Sequence, residues 1–115
     1  MMRELWALGF VILAGCSTPF EIDYQTAVKQ HLRDPQSAQF SDVTANAESA
    51  CGFVNSKNGY GGYAGRQPFV VVGDEATLIE LTEDAVTLVE ARCLEPARAK
   101  IHAWLTDAAI AALKD

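Results

Sequence analysis

Hydrophobic and polar positions change period twice along the chain. Tyr24, Ala27, Val28, His31 and Leu32 recur at helical spacing, and Asp34-Pro35 closes the run because the residue before a proline is pushed out of the α region. The spacing predicts a helix over 20–33, with Thr18-Pro19-Phe20-Glu21 as its capping box. From Phe40 to Cys93 the runs become short and β-rich: Phe40–Thr44, Gly52–Lys57, Gln67–Val72, Thr77–Leu81 and Val86–Cys93. Turn residues divide them, namely Asn58-Gly59, Gly73-Asp74-Glu75 and Thr82-Glu83-Asp84, which predicts an antiparallel meander. In the last run Thr87, Val89, Ala91 and Cys93 share the predicted inward face, because the opposite face turns polar at Glu90 and Arg92. Glu95-Pro96 then opens a helix whose stripe is Ile101, Trp104, Leu105, Ala108 and Ala112, with Ile110 alone on the far side. The predicted class is α+β: a small antiparallel sheet of about four or five short strands, covered on one face by an N-terminal and a C-terminal helix.

Composition sharpens this picture in two ways. A chain of 115 residues holds one domain, and 50% hydrophobic against 21% charged residues is enough apolar surface for a folded core. The net charge of −6 has the wrong sign for gripping a polyanion by counterion release, so nucleic acid is excluded as a partner.

The first residues change the setting. Leu5–Leu13 is an apolar run of nine, shorter than the ~20 residues a bilayer-crossing helix needs, and reads as the apolar core of an export signal. It leads into Leu13-Ala14-Gly15-Cys16, which resembles the lipobox of bacterial lipoproteins. The resemblance implies that the Cys16 sulfur takes a diacylglyceryl group, that the chain is cut just before it, and that residues 1–15 are a removed signal peptide. The partner would then be a membrane, reached through the lipid anchor, and Ser17 after the cysteine points to the outer membrane facing the periplasm. Several acyl chains at ~0.8 kcal/mol per buried CH₂ make such attachment durable. The alternative is an ordinary secretory signal cut near Ala14 or Gly15, with Cys16 left as a thiol. Either cut removes Arg3 together with Glu4, so the balance stays at −6 and charge does not help the protein adhere to an anionic surface.

Export also decides how the other cysteines are read. With Cys16 lipidated, Cys51 and Cys93 remain as an even pair in an oxidising compartment, where a disulfide would tie the start of the sheet to its last strand. Free thiols are one alternative. A metal site drawing in His31 and His102 is another, although no two of these residues stand at metal-ligand spacing, and no cofactor is implied. His31 fits a satisfied core histidine and His102 a helix flank.

Residues 51–66 hold five of the eight glycines. A phosphate cradle is the first idea, but the P-loop pattern is missing and a dinucleotide fingerprint starting at Gly59 would need glycine where Ala64 stands. Two readings remain. One is a plain hairpin turning at Asn58-Gly59, with Gly61, Gly62 and Gly65 marking irregularities in the return strand. The other is a binding surface for an envelope protein or glycan, built from Lys57, Tyr60, Gly61, Gly62, Tyr63 and Arg66, in which two amphipathic rings sit between two cations.

Here a second resemblance enters. Leu32-Arg33-Asp34-Pro35-Gln36-Ser37-Ala38-Gln39-Phe40, followed by Cys51-Gly52-x-Val54-Asn55-x-Lys57-Asn58-x-x-Gly61-Gly62-Tyr63, is similar to a group of short exported bacterial proteins and lipoproteins that pair a D-P-x-S-A-x-F turn with a G-x-V-N-x-K-N-x-x-G-G-Y hairpin, over roughly residues 32–69. It covers about a third of the chain and implies no catalytic residue. In physical terms Asp34 fits a cap on the turn that Pro35 opens, and Ser37 and Asn55 fit partners for backbone groups.

Catalytic chemistry has little to build on. His31 and His102 sit on predicted helices with no nucleophile elbow beside them, and Asp74, Glu75, Glu80, Glu83 and Glu90 offer only turn and surface carboxylates for glycan cleavage. The expectation is therefore a lipid-anchored envelope protein that acts as a small non-catalytic binding module. A cell-wall glycan-active enzyme is one alternative, and a structural or accessory lipoprotein of a mobile element or secretion apparatus is another.

Overall fold

The computed structural model describes residues 21–114. The apolar run 5–13, Cys16 and most of the predicted capping box at 18–21 lie outside the described residues. Element order is α1 (Tyr24–Lys29), a 3₁₀ turn (Pro35–Ser37), β1 (Gln39–Ala45), β2 (Ser49–Asn55), β3 (Gln67–Val72), β4 (Glu75–Leu78), α2 (Glu83–Arg92) and α3 (Ala97–Leu113). The strands form one open antiparallel sheet in sequence order, β1-β2-β3-β4. The fold is α+β, as the pattern of residues predicts.

The helices divide between the two faces. Ala50, Val54, Phe69, Val71 and Ala76 pack with Ala27 and Val28 of α1, while Cys51, Phe53 and Val70 pack with Ala85 and Val89 of α2 and Ala97, Ile101 and Leu105 of α3. This corrects the expectation of cover on one face. The reason lies in β2 and β3, the two inner strands: Ala50 to Val54 and Pro68 to Val71 are buried without a break. A strand buried on both sides needs a layer on each. Under α1, Tyr24, Phe40 and Phe69 form an aromatic triangle with ring centroids 5.3–5.7 Å apart.

Three predicted elements are redrawn. The first helix begins at Tyr24 because Asp23 caps it, its Oδ1 accepting from the Thr26 N–H at 3.2 Å, while the Ile22 N–H is already committed to the Asn46 carbonyl at 2.9 Å. His31 follows the helix and is exposed, so it is not a core histidine. Val86–Cys93 belongs to α2 and its C-cap rather than to a strand. Thr82 caps that helix by accepting from the Ala85 N–H, Glu83 and Asp84 suit the positive end of its dipole, and Arg92 suits the negative end. Helical spacing therefore buries Ala85, Val89 and Cys93 and leaves Thr87 and Ala91 exposed. The predicted Thr77–Leu81 strand is Glu75–Leu78, since the hairpin closes on two residues, Gly73-Asp74, with Val72 opposite Glu75.

Cys51 and Cys93 are joined by a disulfide with Cα atoms 5.6 Å apart. It ties β2 to the junction of α2 and α3, not to a last strand. Nearby, β1 carries a bulge: Ser41 pairs with Phe53 and Thr44 with Cys51, so Asp42 and Val43 together oppose Gly52. A Cβ on Gly52 would stand 2.7 Å from Val43 Cγ2 and 2.9 Å from its Cα, which explains the glycine. Asp42 takes the left-handed conformation, φ 53°, that aspartate tolerates better than most residues.

Candidate functional site

The two segments of the second resemblance meet in space. Ser37, at the end of the 3₁₀ turn, donates its hydroxyl to the Asp34 carbonyl at 2.8 Å and accepts the Lys57 N–H at 2.8 Å. Its carbonyl accepts the Tyr63 hydroxyl at 3.2 Å. Ser37 and Asn55 bond backbone groups as the sequence suggests; Asn55 Oδ1 accepts the Gly65 N–H at 3.0 Å. Asp34, by contrast, makes no side-chain cap. The spacing of the two segments thus has a physical basis, because each completes the other's hydrogen bonds.

Within the β2–β3 connection Lys57 and Tyr63 form an isolated bridge, and the turn between them is longer than the two residues Asn58-Gly59 that the sequence suggests. The Asn58 N–H donates to the Gly62 carbonyl at 2.8 Å and the Gly61 N–H to the Asn58 carbonyl at 3.1 Å. Asn58 Oδ1 accepts from the N–H groups of Tyr60 and Gly62, at 2.8 and 3.4 Å. Gly61 closes the turn at φ 86°, where a side chain would be strained. A single asparagine therefore organises the tip from inside.

The six residues expected to form a binding surface separate into roles. Tyr60 stands at the tip, 98% exposed, with Gly61 and Gly62 exposed beside it. Tyr63 is 44% exposed and folds back through its hydroxyl, with Lys57 Nζ 5.8 Å from its ring centroid. Arg66 is engaged elsewhere. Its guanidinium bonds Asp42 at 3.0 Å and lies 3.9 Å over the ring of Phe53, a fully buried residue that it seals from water. Lys100 of α3 reaches the other oxygen of Asp42 at 3.1 Å. The Lys100 and Arg66 hydrogen bonds together hold the Asp42 carboxyl below its ordinary pKa.

Arg33 stands in the first of the two segments, but sequence reasoning gives it no role. The Arg33 side chain runs along Gly59, and with Asn58, Gly59 and Tyr60 it lines an open cleft of about 510 Å³. No signal in the sequence joins residue 33 to residue 60; the Ser37 contacts bring them together.

The carboxylates considered for catalysis lie apart from this tip. Asp74 lies in the β3–β4 turn, Glu75 opens β4, Glu80 follows that strand, and Glu83 and Glu90 are exposed on α2. Glu90 does share a second open cleft, about 350 Å³, with Glu95, Arg98, Ala99 and His102. Both Glu95 oxygens are occupied there, one by Arg98 Nε at 2.9 Å and one by the Ala99 N–H at 3.2 Å. Among the described residues no three His, Cys, Asp or Glu side chains gather closely enough to hold a metal ion, and no helix is long and apolar enough to cross a membrane. Comparison of the chain with protein families, curated proteins and solved structures finds no match, so the functional reading rests on these residues and their geometry.

Proposed function

We propose that the protein is a lipid-anchored component of the bacterial cell envelope that acts as a small, non-catalytic binding module through the tip of its β2–β3 connection. The observation that carries this is Tyr60. An aromatic ring 98% exposed contributes nothing to the core, yet the turn beneath it is held by four hydrogen bonds of Asn58 and two of Ser37. A hydrogen-bonded turn beneath such a side chain suits recognition, because the backbone is already ordered and only the two torsions of the tyrosine remain to be fixed on binding. The partner class is an envelope protein or glycan, and the anchor is the lipid on Cys16 that the Leu13-Ala14-Gly15-Cys16 resemblance implies.

A photo-crosslinking residue at position 60, introduced into the full chain in living bacteria, tests the reading. A discrete adduct from position 60, absent when the probe sits at exposed Thr87 on α2, supports it; equal or no capture from both refutes it. The second cleft supports a rival, glycan cleavage with Glu90 as the uncommitted carboxylate. Cell-wall glycan hydrolysis that disappears in Glu90→Gln would favour that rival.

A further inference from the structure

Resting on the tip as a binding surface, we infer that the cleft between Arg33 and Tyr60 is a subsite for an acidic saccharide, a sugar ring that carries a carboxylate. The argument begins with what lines the cleft. Asn58 Oδ1 is consumed by the N–H groups of Tyr60 and Gly62, while the Asn58 amide NH₂ makes no hydrogen bond among the described residues and remains a donor. Arg33 makes no ion pair or side-chain hydrogen bond among the described residues. Among the described residues no carboxylate lines the cleft. It therefore presents donors and a positive charge, in a chain whose net charge is −6. Such a lining selects an anionic acceptor, and the planar fork of a guanidinium matches a carboxylate with two parallel bonds.

The rest of the cleft selects the body that bears the acid. Tyr60 offers a ring face free of protein contacts, on which the apolar face of a sugar can lie while its hydroxyls meet the Asn58 amide and the tyrosine hydroxyl. A volume of about 510 Å³ is within the range of small-molecule sites and accommodates a saccharide unit. Gly59 forms the floor between them: a Cβ there would stand 3.5 Å from Arg33 Cδ, ordinary contact distance, so the Arg33 stem lies directly along the Gly59 backbone.

Titration of the ¹⁵N-labelled full chain in detergent micelles with glucuronate, glucose and acetate tests the assignment. Saturable shifts of the Asn58, Gly59 and Tyr60 amides are expected with glucuronate, with acetate and glucose each weaker by about ten-fold or more, the scale of one charge-assisted hydrogen bond or one stacked ring. Arg33→Gln and Tyr60→Ala, both at exposed positions, should each weaken glucuronate binding by a similar factor while the remaining resonances stay in place. Absence of saturable shifts, equal response to acetate or glucose, or unchanged binding by Arg33→Gln overturns the subsite. If glucuronate fails while position 60 still yields its discrete adduct in cells, the binding module stands and the acidic saccharide falls.

Discussion

Breaking the Cys51–Cys93 bridge should remove a large part of the stability of the folded chain. The bond closes a loop of 42 residues, for which the chain-entropy model gives about 4 kcal/mol of destabilisation of the unfolded state. A domain of this size has about 5–15 kcal/mol in total. At ~4–8 °C per kcal/mol for ~60–100 residues, the melting temperature should fall by roughly 15–30 °C. Both side chains are almost completely buried, so Cys51→Ala/Cys93→Ala adds the loss of two sulfur atoms from the core between β2 and α2. Reduction of the native chain keeps those atoms and isolates the cross-link. Urea unfolding of oxidised, reduced and doubly substituted protein separates the terms: reduction alone should cost about 4 kcal/mol, and the alanine variant slightly more. The reduced chain should also show the steeper urea dependence, because its unfolded state exposes more surface. Coincident midpoints for oxidised and reduced protein would refute the reasoning.

Three further outcomes follow from the geometry, and a fourth from the proposed lipid anchor. Asp42 is bonded to Lys100 and Arg66, and its folded pKa lies below the ordinary 3.8, so its contribution is full above that value and fades as pH falls through the folded pKa. The stability gap between wild type and Asp42→Asn, measured by urea unfolding, should therefore close on acidification below pH 3.8 and stay constant above pH 5 or so. Gly52→Ala should destabilise by about 1–3 kcal/mol, and adding Val43→Ala should not restore it fully, since the Val43 Cα itself stands 2.9 Å from the new carbon. Tyr60→Ala should leave the melting temperature within a degree or two, as expected of a surface substitution, whereas Tyr63→Phe should cost about 0.5–1.5 kcal/mol by losing the bond to the Ser37 carbonyl. Cys16→Ser should move the protein from the membrane fraction to the soluble periplasm, and unchanged fractionation would reject the anchor.

How much of this could be seen in the residues varies with the distance over which each feature is decided. Gln67–Val72 is a strand because three consecutive valines follow an aromatic residue, a local preference that the sheet's interior reinforces. The bridge between Cys51 and Cys93 was legible without geometry, from the even pair left once Cys16 is set aside and the expectation of export. Val86–Cys93 was misread because Val-Thr-Leu-Val satisfies a two-residue period as well as a helical one, and the deciding residue is Thr82, whose hydroxyl caps the helix from outside the run. The division of helices between two faces was hidden for a related reason: alternation within β2 is masked by Gly52, whose face is filled by Val43 from the neighbouring strand. At the tip, Tyr60 and Asn58 were visible as residue types. Arg33 was not, since only the long-range bonds of Ser37 bring it alongside, and Arg66 looked free because its partner Asp42 projects from a bulge that no local pattern announces.

The bond from the Ile22 N–H to the Asn46 carbonyl fixes where the chain enters the domain: at the end of the sheet that holds the β1–β2 turn, next to Gly73, whose N–H reaches the Glu48 carbonyl. From there β2 runs seven residues, or roughly 20 Å, before the chain turns toward Tyr60. Cys16 precedes Ile22 by six residues, a leash of at most about 20 Å. Acyl chains on that cysteine would hold the entry end within that reach of the headgroups, and the tyrosine would then stand at the other end of the sheet, one strand length farther from the point of attachment.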